Sequence, residues 1–94
     1  MTATLPDITL TSQWQDVHDI SGAAPGSEIG LQNKSPLETA IIQVAPAKPL
    51  DSSTQGFPVP PFPNPNSFVQ IEADPANKTW VRLLNGNGLA SVVL

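Results

Sequence analysis

The stretch Thr79-Trp80-Val81-Arg82-Leu83-Leu84-Asn85-Gly86-Asn87-Gly88-Leu89-Ala90-Ser91-Val92-Val93-Leu94 decides the fold class. Two runs rich in aliphatic and β-branched residues flank a pair of Asn-Gly steps. Asn and Gly accept the positive φ angles of tight turns, so the stretch reads as a β-hairpin. Similar runs recur upstream. Ile8-Thr9-Leu10-Thr11 is short and β-branched. Glu28–Asn33 puts Ile29 and Leu31 on one face, and Ser67–Glu72 does the same for Val69 and Ile71. Thr39–Ala45 is nearly all apolar, as a central strand covered on both faces would be, with Ile41 and Val44 in the core. In Trp14–Ile20 the apolar positions fall at 14, 17 and 20, which needs either a bulge near Asp16 or one helical turn. No uninterrupted helical periodicity occurs elsewhere. About seven short strands separated by turn residues predict an all-β domain, a small antiparallel β-sandwich or barrel. Its predicted core is Trp14, Ile29, Leu31, Ile41, Val44, Val69, Ile71, Trp80 and Val92.

Size and composition are consistent with this and exclude several functions. Ninety-four residues suffice for a single domain over 1–94 with one modest core. There is no Cys, which removes thiol catalysis, disulfide scaffolds and Cys-ligated zinc. Four Lys and Arg against eight Asp and Glu give a net charge of −4, so counterion release cannot drive nucleic-acid binding. The longest apolar runs, Ala40-Ile41-Ile42 and Val92-Val93-Leu94, are far too short to cross a bilayer. The N-terminus has no basic segment or apolar core of a signal peptide, so synthesis in a cytosol is expected, with no membrane partner.

Seven of the eleven prolines lie between Pro46 and Pro65. Proline cannot donate to a ladder, so residues 46–66 should not form a central strand. Phe57-Pro58-Val59-Pro60-Pro61-Phe62-Pro63 is expected to be extended. Two readings are open. The segment is an arm that packs along a neighbouring subunit with Phe57 and Phe62 as anchors, or it wraps its own domain and covers an edge strand. On the first reading, deleting Gln55–Asn64 weakens assembly and leaves the domain folded. A PxxP ligand is disfavoured because no Arg or Lys flanks the prolines.

Other constellations have plainer explanations. On a strand Asp16 and His18 share a face while Asp19 points away, leaving two ligands, too few for a zinc site. The single His has no nucleophile elbow to accompany it, so no catalytic residue and no cofactor are expected. Asn77-Lys78-Thr79 matches a glycosylation sequon by composition alone. Trp14 and Trp80 are expected to be packing centres; exposed, either would be a platform for stacking a sugar.

Trp14-Gln15-Asp16-Val17, the Gly-containing turn after it, Ile29-Gly30-Leu31-Gln32-Asn33-Lys34-Ser35, the strand Ala40–Val44, Trp80-Val81-Arg82 and Gly86-Asn87-Gly88-Leu89-Ala90-Ser91-Val92 occur in that order. This succession resembles small structural proteins of tailed-bacteriophage particles and covers about two thirds of the chain. The Pro-rich middle departs from that pattern. The resemblance implies a small β-domain that assembles as a homotrimer on the virion, with copies of itself and the major capsid or other virion proteins as partners. The expected role is a capsid decoration or cement protein. The alternative is a carbohydrate- or receptor-binding module of a fibre.

Overall fold

The computed structural model describes residues 4–62 and 64–94. Pro63 and the start of the N-terminal segment thus lie outside the described residues. The described residues form eight strands: β1 (Ile8–Leu10), β2 (Gln15–Asp16), β3 (Ile29–Asn33), β4 (Ala40–Ala45), β5 (Phe57–Val59), β6 (Phe68–Ile71), β7 (Lys78–Leu83) and β8 (Gly88–Val93), with one short helix, α1 (Val17–Ser21). Two four-stranded antiparallel sheets pack face to face, one in the order β1-β8-β3-β6 and the other β2-β7-β4-β5. The small β-sandwich predicted from the patterning is therefore present, and its strand order is that of a jelly roll.

The order has a simple origin. The chain is folded in two, so that Ala40 pairs with Val59, Ile29 with Ile71, Gln15 with Val81 and Ile8 with Ala90. Each pair is centred near residue 49. The doubled ribbon then wraps on itself, which adds the β4·β7 and β3·β8 ladders. Consequently nearly every connection crosses between sheets, and only β4 and β5 are sequence neighbours in one sheet.

This overturns the C-terminal hairpin. The turn Asn85–Gly88 does join two strands, and Gly86 has φ +70°. Yet β7 pairs with β2 and β4, while β8 pairs with β1 and β3. Turn chemistry fixes the local backbone only. Which strands pair is set by burial: Val81 and Leu83 of β7 and Ala90 and Val92 of β8 all point into the space between the sheets.

That space is the main core. Leu10, Leu31, Val59, Leu83 and Val92 are completely buried in it, and the predicted Ile29 and Ile71 are buried there too. Val69 is partly buried against it. Val44 is a correction, because it is 49% exposed. Its alternation with Ala40 and Ile42 places it on the inner face, but at that end of β4 a groove opens between the sheets and leaves it half-exposed. Trp14, Ile41 and Trp80 form a separate cluster on the outer face of the β2-β7-β4-β5 sheet. Thr39–Ala45 was predicted to be covered on both faces, and at Ile41 and Ile42 it is.

Residues 17–21 take the helical alternative to a bulge. Asp16 caps the helix by accepting from the His18 N–H at 3.1 Å, and Val17 drops into the core.

The Pro-rich segment does not project as an arm. It wraps its own domain and supplies β5, an edge strand paired with β4 despite Pro58 at its centre. Proline is tolerated at a sheet edge, where the missing N–H costs no ladder bond. Gly56 makes the approach possible. Its φ is +146°, and a Cβ there would collide with the Ile42 carbonyl oxygen of β4. Gly56→Ala is therefore expected to cost about 2 kcal/mol, read as a lower urea midpoint with an unchanged slope. Deleting residues 55–64 would remove β5 and the fully buried Val59, so the domain would not survive it.

Candidate functional site

The two outer faces of the sandwich are finished differently. On the β2-β7-β4-β5 sheet, alternation along β7 turns Trp80 and Arg82 outward. The segment after β4 folds back over them as a strap. The Trp14 indole N–H donates to the Leu50 carbonyl at 3.1 Å and the Ser53 carbonyl at 3.2 Å. Arg82, only 7% exposed, donates from one guanidinium nitrogen to the Asp51 carbonyl at 2.6 Å and the Ser53 carbonyl at 3.2 Å. Its guanidinium carbon lies 5.9 Å from the Trp14 ring centroid, within cation–π range. The Trp80 indole N–H donates to the Ala45 carbonyl at 3.1 Å. Both indoles are thus packing centres with committed N–H groups. Arg82 is a functional cation only in the sense that it ties down the strap, and its burial left no mark in the sequence beyond its spacing from Trp80.

A cleft of about 750 Å³ opens beside this cluster, between α1, the turn 74–77 and the start of the strap. Asp16, His18, Asp19, Asn77, Lys78 and Trp80 are in its wall. Asp16 is engaged in capping, and the ring Nε2 of His18 lies 2.8 Å from the Ser27 carbonyl. No group of three His, Asp or Glu suited to a metal ion occurs among the described residues. The carboxyl of Asp74, in the turn below, is held under its ordinary value chiefly by the hydrogen bond from the Asn77 side chain.

The proposed anchor residues separate in the structure. Val59 belongs to the core, and Pro58 to an edge strand. Phe57 and Phe62 remain 60% and 49% exposed. What fastens the segment is Asn33, a buried residue that the sequence marks only as the end of the strand Glu28–Asn33. Its side-chain amide donates to the carbonyls of Glu38 (2.9 Å), Val59 (3.1 Å) and Pro60 (3.2 Å), and its oxygen accepts from the Ser35 N–H at 3.0 Å. Phe62 then donates its backbone N–H to the Ser35 carbonyl at 3.0 Å.

Among the described residues no strap crosses the outer face of the β1-β8-β3-β6 sheet. Register places Thr9, Leu89, Ser91, Val93, Gly30, Gln32, Phe68 and Gln70 on it, and none of them is charged. Gly30 has a specific part here. A Cβ on it would stand 2.5 Å from the Phe68 ring, so the missing side chain lets that ring lie flat across the sheet beside Val93. Gln32 hydrogen-bonds the Ser67 hydroxyl at the margin. The Lys34–Asp7 ion pair, 2.7 Å long, lies beyond the ends of the strands.

Fold and surfaces together define an all-β jelly-roll domain with one outer face covered by its own chain and the other, among the described residues, uncovered and uncharged. Comparison with protein-family models, with curated proteins and with solved structures gives no match.

Proposed function

We propose that the protein is a non-enzymatic structural protein of a virus particle, a decoration subunit that self-associates and binds the capsid surface. The observation that carries this reading is the uncharged outer face bearing Phe68, Leu89 and Val93. Each copy has a net charge of −4, so copies repel at a distance. Contact through this face brings no two acidic groups together. Charge depletion at the centre with polar groups at the rim is also how subunit interfaces are composed. Two weaker supports agree with it. Jelly rolls serve as viral capsid domains, an analogy at the level of fold. The chain also resembles small phage structural proteins in the residues quoted above.

A trimer closes by a head-to-tail contact, so the face of one copy must meet a different patch on the next. Phe62 is the exposed aromatic we assign to that patch. Leu89→Arg and Phe62→Ala are each expected to weaken association at least about 30-fold, as loss of a central contact does. Light scattering after gel filtration reads this, with circular dichroism to verify the fold. A wild-type protein that stays monomeric at the concentrations reached on a particle would rule the reading out.

The cleft beside Trp80 favours a second reading, a carbohydrate- or receptor-binding module. Concave polar walls with an aromatic floor suit a sugar, and jelly rolls also occur as lectins. The cost to this reading is that Trp80 is only 9% exposed. A glycan panel monitored by Trp emission distinguishes the two.

A further inference from the structure

The four sheet edges are unequally protected. β1 is three residues long and follows Pro6. β2 is two residues long and runs straight into α1. β5 has Pro58 at its centre. Short strands, proline and an abutting helix are devices that keep a sheet edge from pairing with foreign chains. β6, at four residues, is the longest of the four and has neither a proline within it nor a helix abutting it. Its residues Phe68-Val69-Gln70-Ile71 pair with β3 on one side only, and the other side is the margin of the sheet.

A groove of about 340 Å³ runs beside that margin, where the sheets part. Ile42, Val44 and Phe57 wall it from one sheet, Val69 and Ile71 from the other. Val44 and Phe57 lie on the inner face of their sheet yet are half-exposed or more, so the groove is core left uncovered. Its mouth carries Glu72 and Asp74. The Lys and Arg side chains are committed elsewhere: Lys34 to Asp7, Lys48 to Asp51 at 3.7 Å, Lys78 over the Trp80 ring, and Arg82 under the strap. Neither carboxylate therefore has a Lys or Arg partner: Glu72 is exposed, and Asp74 accepts only neutral hydrogen bonds from the Asn77 side chain and the Ala76 N–H.

We infer that the seam between β5 and β6 docks an extended segment of a partner protein, with apolar residues at alternate positions and Lys or Arg at its end. Such a segment adds a strand to β6. Main-chain bonds to the free edge supply affinity, and every second side chain enters the groove between Val69 and Phe57. Charge complementarity selects this occupant over a second copy. Another copy would bring its own Glu72 and Asp74, whereas a basic end pairs with them. The site is distinct from the outward face of the same sheet and does not depend on the self-association proposed above.

The test is a titration of the isotope-labelled protein with an alternating Val/Thr peptide bearing two lysines at each end. Amide signals of Phe68–Ile71 and Phe57 are expected to move together and saturate, with a Kd of about 0.1–1 mM. The same peptide with glutamates at its ends should bind at least about tenfold more weakly, and added salt should weaken the lysine peptide. Val44→Glu places a charge in the groove at a half-exposed position and is expected to lower affinity by about tenfold or more. Phe57→Ala, also exposed, gives the same readout should Val44→Glu fail to fold. The inference is overturned by any of three results: no saturable shift, equal binding of the two peptides, or dimerisation of the protein alone through β6.

Discussion

Asn33→Leu is expected to lower the unfolding free energy by about 4 kcal/mol, because it orphans four backbone groups on two separate segments, the loop 35–38 and the stretch 59–60. The amide of Asn33 divides its hydrogens among the carbonyls of Glu38, Val59 and Pro60, and its oxygen takes the Ser35 N–H. Asn33 is completely buried, so water cannot replace these partners without opening the fold. A domain of this size has about 5–10 kcal/mol in hand, so the loss is a large share of it and corresponds to a melting temperature lower by about 20 °C. Asn33→Asp should be worse at neutral pH, since it removes the donors and aims a carboxylate at carbonyl oxygens. A buried carboxyl of this kind has its folded-state pKa raised. The unfolded chain then ionises first as pH rises, so the stability of Asn33→Asp falls with rising pH and recovers in acid. A thermal melt of wild type, Asn33→Leu and Asn33→Asp at two pH values reads both effects. Wild-type stability in Asn33→Leu would show that the carbonyls find other donors.

Trp14→Ala is expected to cost about 4 kcal/mol and to release the strap. The ring is 2% exposed and packs with Ile41 and Trp80, and its N–H holds the Leu50 and Ser53 carbonyls. Removing it leaves a cavity and also takes the aromatic face from Arg82, which then sits over the sheet with fewer contacts. Trp14→Phe separates the two contributions. It keeps most of the ring and loses the N–H, so about 1–2 kcal/mol is expected, with cleavage by a protease inside residues 46–56 rising much more than cleavage elsewhere. Uniform sensitivity along the chain would mean that the strap is not held by Trp14.

Much of this fold was legible in the sequence, and the unread parts share a physical cause. Alternation located β3 and β6, because burial of one face imposes a period of two, while a continuous apolar run marked β4 and β-rich runs marked β1, β7 and β8. It could not tell that β7 and β8 lie in different sheets, since Asn85–Gly88 suits any reversal of direction. Nor could it show that the sheets diverge at Val44. The proline count correctly excluded a central strand and hid an edge strand, because Phe57 and Val59 pair around Pro58. For the candidate surfaces the gap is wider. Asn33 and Arg82 are polar residues made structural by carbonyls far away in sequence, and a single chain read in order contains no sign of such partners. The uncharged outward face was present in the low charged fraction of 13%, but only the register shows that the charges avoid one sheet in particular.

Doubling of the chain about residue 49 also dictates an order of events in folding. Only β4 and β5 can meet by closing a loop of modest length, between Ile42 and Phe57. Once they have, β3 is delivered to β6, then β2 to β7, and last β1 to β8, each closure shortened by the one before it. Ile8 and Ala90 need this relay, because meeting unaided would require a loop of most of the chain. Loop-closure entropy therefore favours assembly from the middle outward, an order that stopped-flow refolding of the variants below checks. Weakening the centre, as Gly56→Ala does, slows the forward reaction. Weakening the β1·β8 end mainly hastens the reverse.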